Sequence, residues 1–311
     1  MVSMKANVPL APYTYLKIGG PAEWLIVVHT QESLIAAVSE ATKAKLSITI
    51  LGSASNVLIA DTGLKGLVII NRSRTIDFDP LNKTLITVSA GTLMNQLVQV
   101  ALSHHLVGLE DFLGLPGTVG GAIYNNSHYF RHLVGDLIQS VTILTESLTP
   151  KTLSQKACNF SYDRSIFQTK PWVILSAIFA LQPAGDEANL ALKAAQALTH
   201  RRQTQPLDLP SSGCMFKNID AQLAASIGMP IGVTSAGWLI DQAGGKGLKV
   251  GGAEVSQVHA NFLVNVGGAT AHDLVELSHQ VQSKVHVRFG VWLEREIIFL
   301  GDHPNLNQNT V

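Results

Sequence analysis

Cysteine is scarce in this 311-residue chain: only Cys158 and Cys214 are present, too few for a disulfide framework. A reducing compartment follows, and the cytoplasm is the simplest address. Charge is sparse as well, at 14% of residues, with Lys+Arg and Asp+Glu standing at 22 each. Without a basic field, neither nucleic acid nor an anionic membrane surface is an expected partner. Long hydrophobic runs are also missing. No apolar stretch reaches the about 18 uninterrupted residues of a membrane span, and MVSMKANVPLAPYTYLKIGG has no basic head before an apolar run, so neither span nor signal peptide is expected.

Two nucleotide-binding signatures are absent too. Gly245, Gly247 and Gly251 miss the Rossmann dinucleotide spacing, and no glycine loop ends in Gly-Lys-Ser/Thr, which speaks against an ATPase or kinase. His104 and His105 have no third ligand candidate, so they read as structural and no metal is expected.

What is present is a chain 46% hydrophobic, rich enough to build a sizeable core and long enough for two domains of about 150 residues. Small molecules or a second copy are the expected partners, the chain itself being a monomer or a weak homo-oligomer. Trp24 to Val28 reads as a strand, residues 32–45 as an amphipathic helix with Leu34, Ile35 and Val38 at helical spacing, and LSITILG as a returning strand. LVIINRS and TLITVSAG continue the strands, and LMNQLVQVALSHHL follows as a helix with Leu93, Leu97 and Ala101 on one face. SVTILT and PWVILSAIFALQ read as strands, NLALKAAQALTHRRQ as a helix. The loop composition of QPLDLPSSG then sets a boundary near residue 203. Beyond it come the strand ANFLVNVG, a helix AHDLVELSHQVQSKVHVRF with Leu274, Leu277 and Val281 on one side, and a last strand VWLEREIIFLG. The class is α+β.

Three glycine clusters stand in the first 127 residues: KIGGPAEW, LGSASNVLIAD and GLPGTVGGAIYNNS. Glycine lets backbone approach a phosphate or a flat ring closely, and turns with positive φ offer successive N–H groups to an anion. Tight turns between strands explain any one cluster alone; three together favour a nucleotide cradle.

These clusters, followed by SAGWLIDQAGGKGLKVGGAEVSQVHANFLVN over residues 235–265, resemble along nearly the whole chain the UDP-N-acetylenolpyruvoylglucosamine reductase family, flavoenzymes of peptidoglycan precursor synthesis. The length resembles the family's shorter type, which lacks an additional substrate-covering loop. The resemblance implies an FAD-binding module of the vanillyl-alcohol-oxidase type over 1–203, in subdomains of about 1–73 and 74–203, and an α+β substrate-binding domain over 204–311, whose last strand is free to return to the FAD domain. It implies FAD as cofactor, NADPH as co-substrate and a UDP-sugar as substrate. NADPH reduces FAD, NADP departs, hydride passes from flavin N5 to the enolpyruvyl double bond, and the neighbouring carbon is protonated. On the matching motifs the implied cofactor contacts are Gly19 and Gly20; Leu51, Gly52, Ser53, Ser55 and Asn56; and Pro116, Gly117, Thr118, Gly120, Gly121 and Asn126. Ser127 and His128 replace small residues usual after the flavin loop.

Hydride addition to an enolpyruvyl ether leaves negative charge beside the carboxylate, so the site needs cations or donors there and an acid at the carbon. Gly213-Cys214-Met215-Phe216-Lys217-Asn218 resembles the family's Gly-Ser-x-Phe-Lys-Asn motif, with cysteine where the family's serine acid stands. A thiol titrates near ~8.5 in an unperturbed peptide, far below a hydroxyl, so Cys214 is the implied proton donor, directly or through a water. Packing as a small apolar filler is the ordinary alternative, and the one retained for Cys158.

In WLEREIIFLG, strand alternation puts Trp292, Glu294, Glu296 and Ile298 on one face. The resemblance points to Glu296 as the catalytic carboxylate, against a bland solvated edge. The family's Tyr-Arg-x-Ser arginine falls on Asp163 in Phe160-Ser-Tyr-Asp-Arg-Ser, with Arg164 one residue later; a local backbone shift would give Arg164 the role of meeting the substrate carboxylate, the alternative being an unengaged surface arginine. Lys217, Asn218, Gln257 and Asn261 are the implied sugar-nucleotide contacts, with Arg202 and Lys249 as diphosphate candidates. Two competing readings remain: a flavin oxidase of the same superfamily with another substrate, and a non-catalytic flavin or nucleotide-sugar binder.

Overall fold

The computed structural model describes residues 4–129 and 132–303. The chain forms two compact units, one from 1–6, 24–53 and 66–201, the other from 7–23, 54–65 and 202–311. The second unit is therefore discontinuous: besides the C-terminal third it takes two short segments from the first 65 residues.

In the first unit, the helix Gln31–Lys43 forms because Leu34, Ala37, Val38 and Ala41 recur at helical spacing and are buried together, while Thr30 and Ser33 close a capping box at its start. Its apolar face packs with Ile26, Val28, Leu67 and Ile69. Strand Ile48–Leu51 lies parallel to Leu64–Asn71, with Ile48 opposite Leu67. The larger sheet is antiparallel in the order Pro150–Ser154, Ile138–Leu144, Val173–Ala180, Leu85–Ser89, Ile76–Phe78. Helix Met94–Ser103 buries Met94, Leu97, Val98 and Ala101 in the core this sheet shares with Phe112, Val119 and Phe179.

The second unit has an antiparallel sheet ordered Ser211–Cys214, Phe262–Asn265, Ala253–Val255, Lys249–Val250. Helix Ala271–Phe289 opens on a Thr270–Asp273 capping box and stops at Gly290, whose φ of 72° suits glycine. It buries Leu274, Leu277, Val281 and Val285 in one core with Phe216, Leu239 and Leu263.

One expected strand is shortened and one element is not foreseen in the sequence. Ser211–Cys214 is a strand paired with Phe262–Asn265, and Cys214 ends it. The expected strand over 291–301 is confined to Ile298–Leu300, parallel to Val57–Ile59. Residues 291–296 are extended but joined to residues 215–217 only through the single bridge Phe216–Arg295 and its flanking hydrogen bonds. The alternation still holds there: Val291, Leu293 and Ile297 are buried, whereas Trp292 and Glu294 are exposed.

Candidate functional site

The glycine-rich loops of the first unit meet at Thr118. A Cβ on Gly52 would overlap Thr118 Oγ1, so this glycine is what lets the two loops touch. Thr118 is buried and caps helix Val119–Asn125, its Oγ1 accepting from Gly121 N at 3.4 Å. Gly117, at φ 114°, accepts at its carbonyl from Met94 N, and Val119 N and Gly120 N donate to Thr92 and Ala90 carbonyls at 2.8 Å. Asn95, which carries no sequence signal, accepts from Gly114 N at 2.9 Å and steadies the loop. Gly121 and Pro116 remain exposed on the open side, and a Cβ at Gly121 would meet nothing nearer than 3.6 Å. This firm main-chain cradle with an uncrowded rim fits a flavin dinucleotide, whose phosphates and ring both need close backbone approach. Gly52→Ala is expected to force Thr118 aside and destabilise the loop pair by about 1–3 kcal/mol, read as weaker retention of bound flavin absorbance on gel filtration.

Leu51 and Ser53 flank Gly52 in the first unit, but Ser55, Asn56, Gly19 and Gly20 belong to the second. Close packing is reason enough for both glycines: a Cβ on Gly20 would overlap the Asp61 carbonyl, and one on Gly19 would lie 3.2 Å from Ile59 Cβ. Asn56 accepts at its carbonyl from Ile298 N. Asn126 is fully buried at φ 47°, its Nδ2 donating to Ser161 O at 2.7 Å and its Oδ1 accepting from Gly135 N at 2.8 Å. Its side chain thus shapes the loop from within instead of facing a ligand.

In the second unit the backbone runs the Glu296 segment alongside Met215–Lys217. Glu296 N donates to Met215 O and Lys217 N to Glu294 O, both at 2.9 Å, so the segment holding Glu296 runs directly beside the residue that follows Cys214. On the opposite side Asn261 grips the same strip: its Oδ1 accepts from Phe216 N at 2.9 Å, its Nδ2 donates to Phe216 O at 2.7 Å, and its carbonyl accepts from Met215 N at 2.7 Å. Asn261 is 2% exposed and engages backbone with both ends of its amide. The expected sugar contact is therefore corrected to an internal clamp, because a buried amide must be satisfied from within. Arg295, which no motif marked, holds the far side: it donates to Ser278 Oγ and Gln282 Oε1, and Gln282 Nε2 donates to Leu293 O.

Lys217 pairs with exposed Glu294, which gives that acid a partner the sequence did not disclose. Asn218 is exposed and its Oδ1 accepts from Ala236 N at the start of helix Ala236–Gln242. Gln257 is exposed, its amide lying over Gly247, and Lys249 pairs with Glu254 at 2.9 Å.

Arg164 lies in the first unit and is exposed. It closes a turn with Ser161 through two main-chain hydrogen bonds of 3.0 Å, and between them Asp163 takes a φ of 54°. Asp163 Oδ1 lies 3.0 Å from His128 Nδ1, and the His128 ring packs on Tyr162 at 4.5 Å between centroids.

Elsewhere, Cys158 is fully buried, its thiol facing Ser154 O at 3.4 Å and pushed up to about 11 by desolvation, as befits a packed cysteine. Neither cysteine is in a disulfide. His104 packs on Phe78. Among the described residues no cluster of three His, Cys, Asp or Glu side chains could hold a metal, and no helix is long and apolar enough to cross a membrane.

Known proteins share this fold and much of this sequence. A family model described as FAD binding domain matches residues 22–149, and one described as UDP-N-acetylenolpyruvoylglucosamine reductase, C-terminal domain, matches 205–300. UDP-N-acetylenolpyruvoylglucosamine reductases are similar over most of their length: that of Synechococcus sp. is 36% identical across 96% of this chain and 91% of its own, and that of Acaryochloris marina 38% identical across 96% and 93%. The crystal structure of UDP-N-acetylenolpyruvylglucosamine reductase from Thermus caldophilus superposes with a TM-score of 0.78 at 31% identity, covering 97% of this chain and 99% of that one.

The α+β fold and the matches to an FAD binding domain and to these reductases define an FAD-dependent oxidoreductase. Within that class, the chain belongs to the UDP-N-acetylenolpyruvoylglucosamine reductase family.

Proposed function

We propose that this protein reduces UDP-N-acetylglucosamine enolpyruvate to UDP-N-acetylmuramate with NADPH, in peptidoglycan precursor synthesis. The observation that carries the reading is the pairing of Glu296 N with Met215 O, which runs the Glu296 segment beside the residue that follows half-buried Cys214, inside the stretch matched by the reductase family model. FAD supplies, when bound, the transfer of two electrons from NADPH to the enolpyruvyl double bond. Leu51, Gly52, Ser53 and the Pro116–Gly121 loop would hold it.

Cys214 gives its proton to the carbon beside the substrate carboxylate, and Glu296 polarises the substrate or relays the replacement proton. Arg164 faces the carboxylate, where a guanidinium stabilises developing negative charge by two parallel hydrogen bonds. Lys217, Asn218 and Gln257 contact the nucleotide sugar. Asn261 acts at one remove, by holding the Cys214 strip in register. We assign the expected 1–203, less residues 7–23 and 54–65, to the flavin module, and those two segments with 204–311 to the substrate domain; we place the site of action in the cytoplasm, the chain working as a monomer or weak homo-oligomer.

The test is spectral. Purified protein should carry bound FAD, bleach anaerobically on adding NADPH, and regain its colour only when the enolpyruvyl substrate follows. Bleaching without recovery would reject the substrate, and a protein that cannot be loaded with FAD would reject the proposal.

A further inference from the structure

We infer that His128 and Asp163 form a positioning pair that neutralises Asp163 and presents Arg164 to the substrate carboxylate, an inference that rests on the reductase reading. The difficulty it answers is electrostatic. Asp163 directly precedes Arg164, and an aspartate with its charge facing the ligand would repel the anion that the arginine is to bind.

The turn geometry separates the two side chains. At φ 54° Asp163 occupies the left-handed region, which side chains other than glycine, asparagine and aspartate seldom adopt. Its carboxylate ends up 9% exposed, whereas Arg164 stays on the surface. Within, Asp163 Oδ1 meets His128 Nδ1 at 3.0 Å, and Oδ2 is buried without a hydrogen-bond partner among the described residues. A carboxylate so placed favours a cationic neighbour, and among the described residues the titratable group seen in contact with it is His128, which meets that need in its protonated form. The pair then sums to no net charge, leaving Arg164 as the outward-facing cation.

The same small region ties down the rest of the turn. Asn126 Nδ2 donates to Ser161 O at 2.7 Å, Ser165 Oγ donates to Tyr124 O at 2.6 Å, and Gln168 Nε2 donates to Asp163 O at 3.0 Å. Residues 124–128, just after the glycine loop, thus orient residues 161–165 through three side-chain contacts. His128 and Asp163 are 35 positions apart, so no local motif links them.

The test compares two ligands on the FAD-loaded protein by calorimetry: UDP-N-acetylmuramate, which carries the carboxylate, and UDP-N-acetylglucosamine, which lacks it. The ratio of their affinities reads the carboxylate contact. Asp163→Asn keeps the size of the side chain and tolerates the left-handed backbone, and His128→Gln removes the cation from the other side. His128→Gln is expected to lower the ratio about tenfold while UDP-N-acetylglucosamine affinity and melting temperature hold, and adding Asp163→Asn, which removes the charge that His128 offsets, is expected to restore it. In an Arg164→Ala background, adding His128→Gln should lower the ratio no further. A ratio unchanged in His128→Gln, a loss that Asp163→Asn does not relieve, equal losses for both ligands, or losses that add in the Arg164→Ala background would each overturn the inference. Native protein that binds neither nucleotide sugar would overturn the reductase reading beneath it, which sets the two failures apart.

Discussion

Cys214→Ala is expected to leave bleaching of the flavin by NADPH at its native rate and to slow the return of colour on adding the enolpyruvyl substrate by about 10²–10⁴-fold, the range a positioned proton donor contributes. The selectivity follows from the two halves of the reaction. NADPH oxidation needs no proton from this thiol, whereas the carbon beside the substrate carboxylate needs one. Cys214→Ser should restore most of the rate, because a hydroxyl at the same place can also donate. Equal slowing of both halves in Cys214→Ala would reassign the residue to packing. Stopped-flow absorbance of the flavin band separates these outcomes in one experiment.

Asn261→Leu is expected to be the most damaging substitution for stability. Leucine fills a similar volume but leaves Phe216 N and Phe216 O unsatisfied, and Phe216 is fully buried. Two buried orphaned backbone groups amount to about 2–6 kcal/mol, measurable by urea unfolding of the full-length holoprotein. Gln257→Ala, at an exposed position in the same region, should stay within about 0.5 kcal/mol of native. Were Asn261→Leu as mild as Gln257→Ala, the clamp would not be structural.

Much of this architecture was legible in the sequence because period and punctuation carry it. Leu274, Leu277 and Val281 mark their helix by spacing alone and are buried as that spacing requires. The division of the chain is only partly contiguous: it enters the second unit for its final stretch at Arg201–Arg202, but residues 7–23 and 54–65 belong to that unit as well, which no composition shift marks. What the sequence could not disclose is long-range and polar. Asn261 looked like a ligand contact because a matching motif cannot tell a polar residue facing a site from one facing a backbone strip 45 positions away. The same limit hides His128 from Asp163 and Lys217 from Glu294, 77 positions apart. Alternation also overextended the last strand: residues 291–296 keep the inside-outside pattern without a continuous partner, since their neighbours at 215–217 supply one bridge rather than a ladder. Arg295 takes an inward position in that pattern and is satisfied by Ser278 and Gln282, a pairing that only the fold creates.

The most direct test of the central claim is isotopic. The NADPH-reduced protein, mixed anaerobically with UDP-N-acetylglucosamine enolpyruvate in deuterated water, should regain its oxidised flavin spectrum and yield UDP-N-acetylmuramate with one solvent deuterium on the carbon beside the carboxylate. Flavin that stays reduced, or a product without deuterium at that carbon, would contradict it.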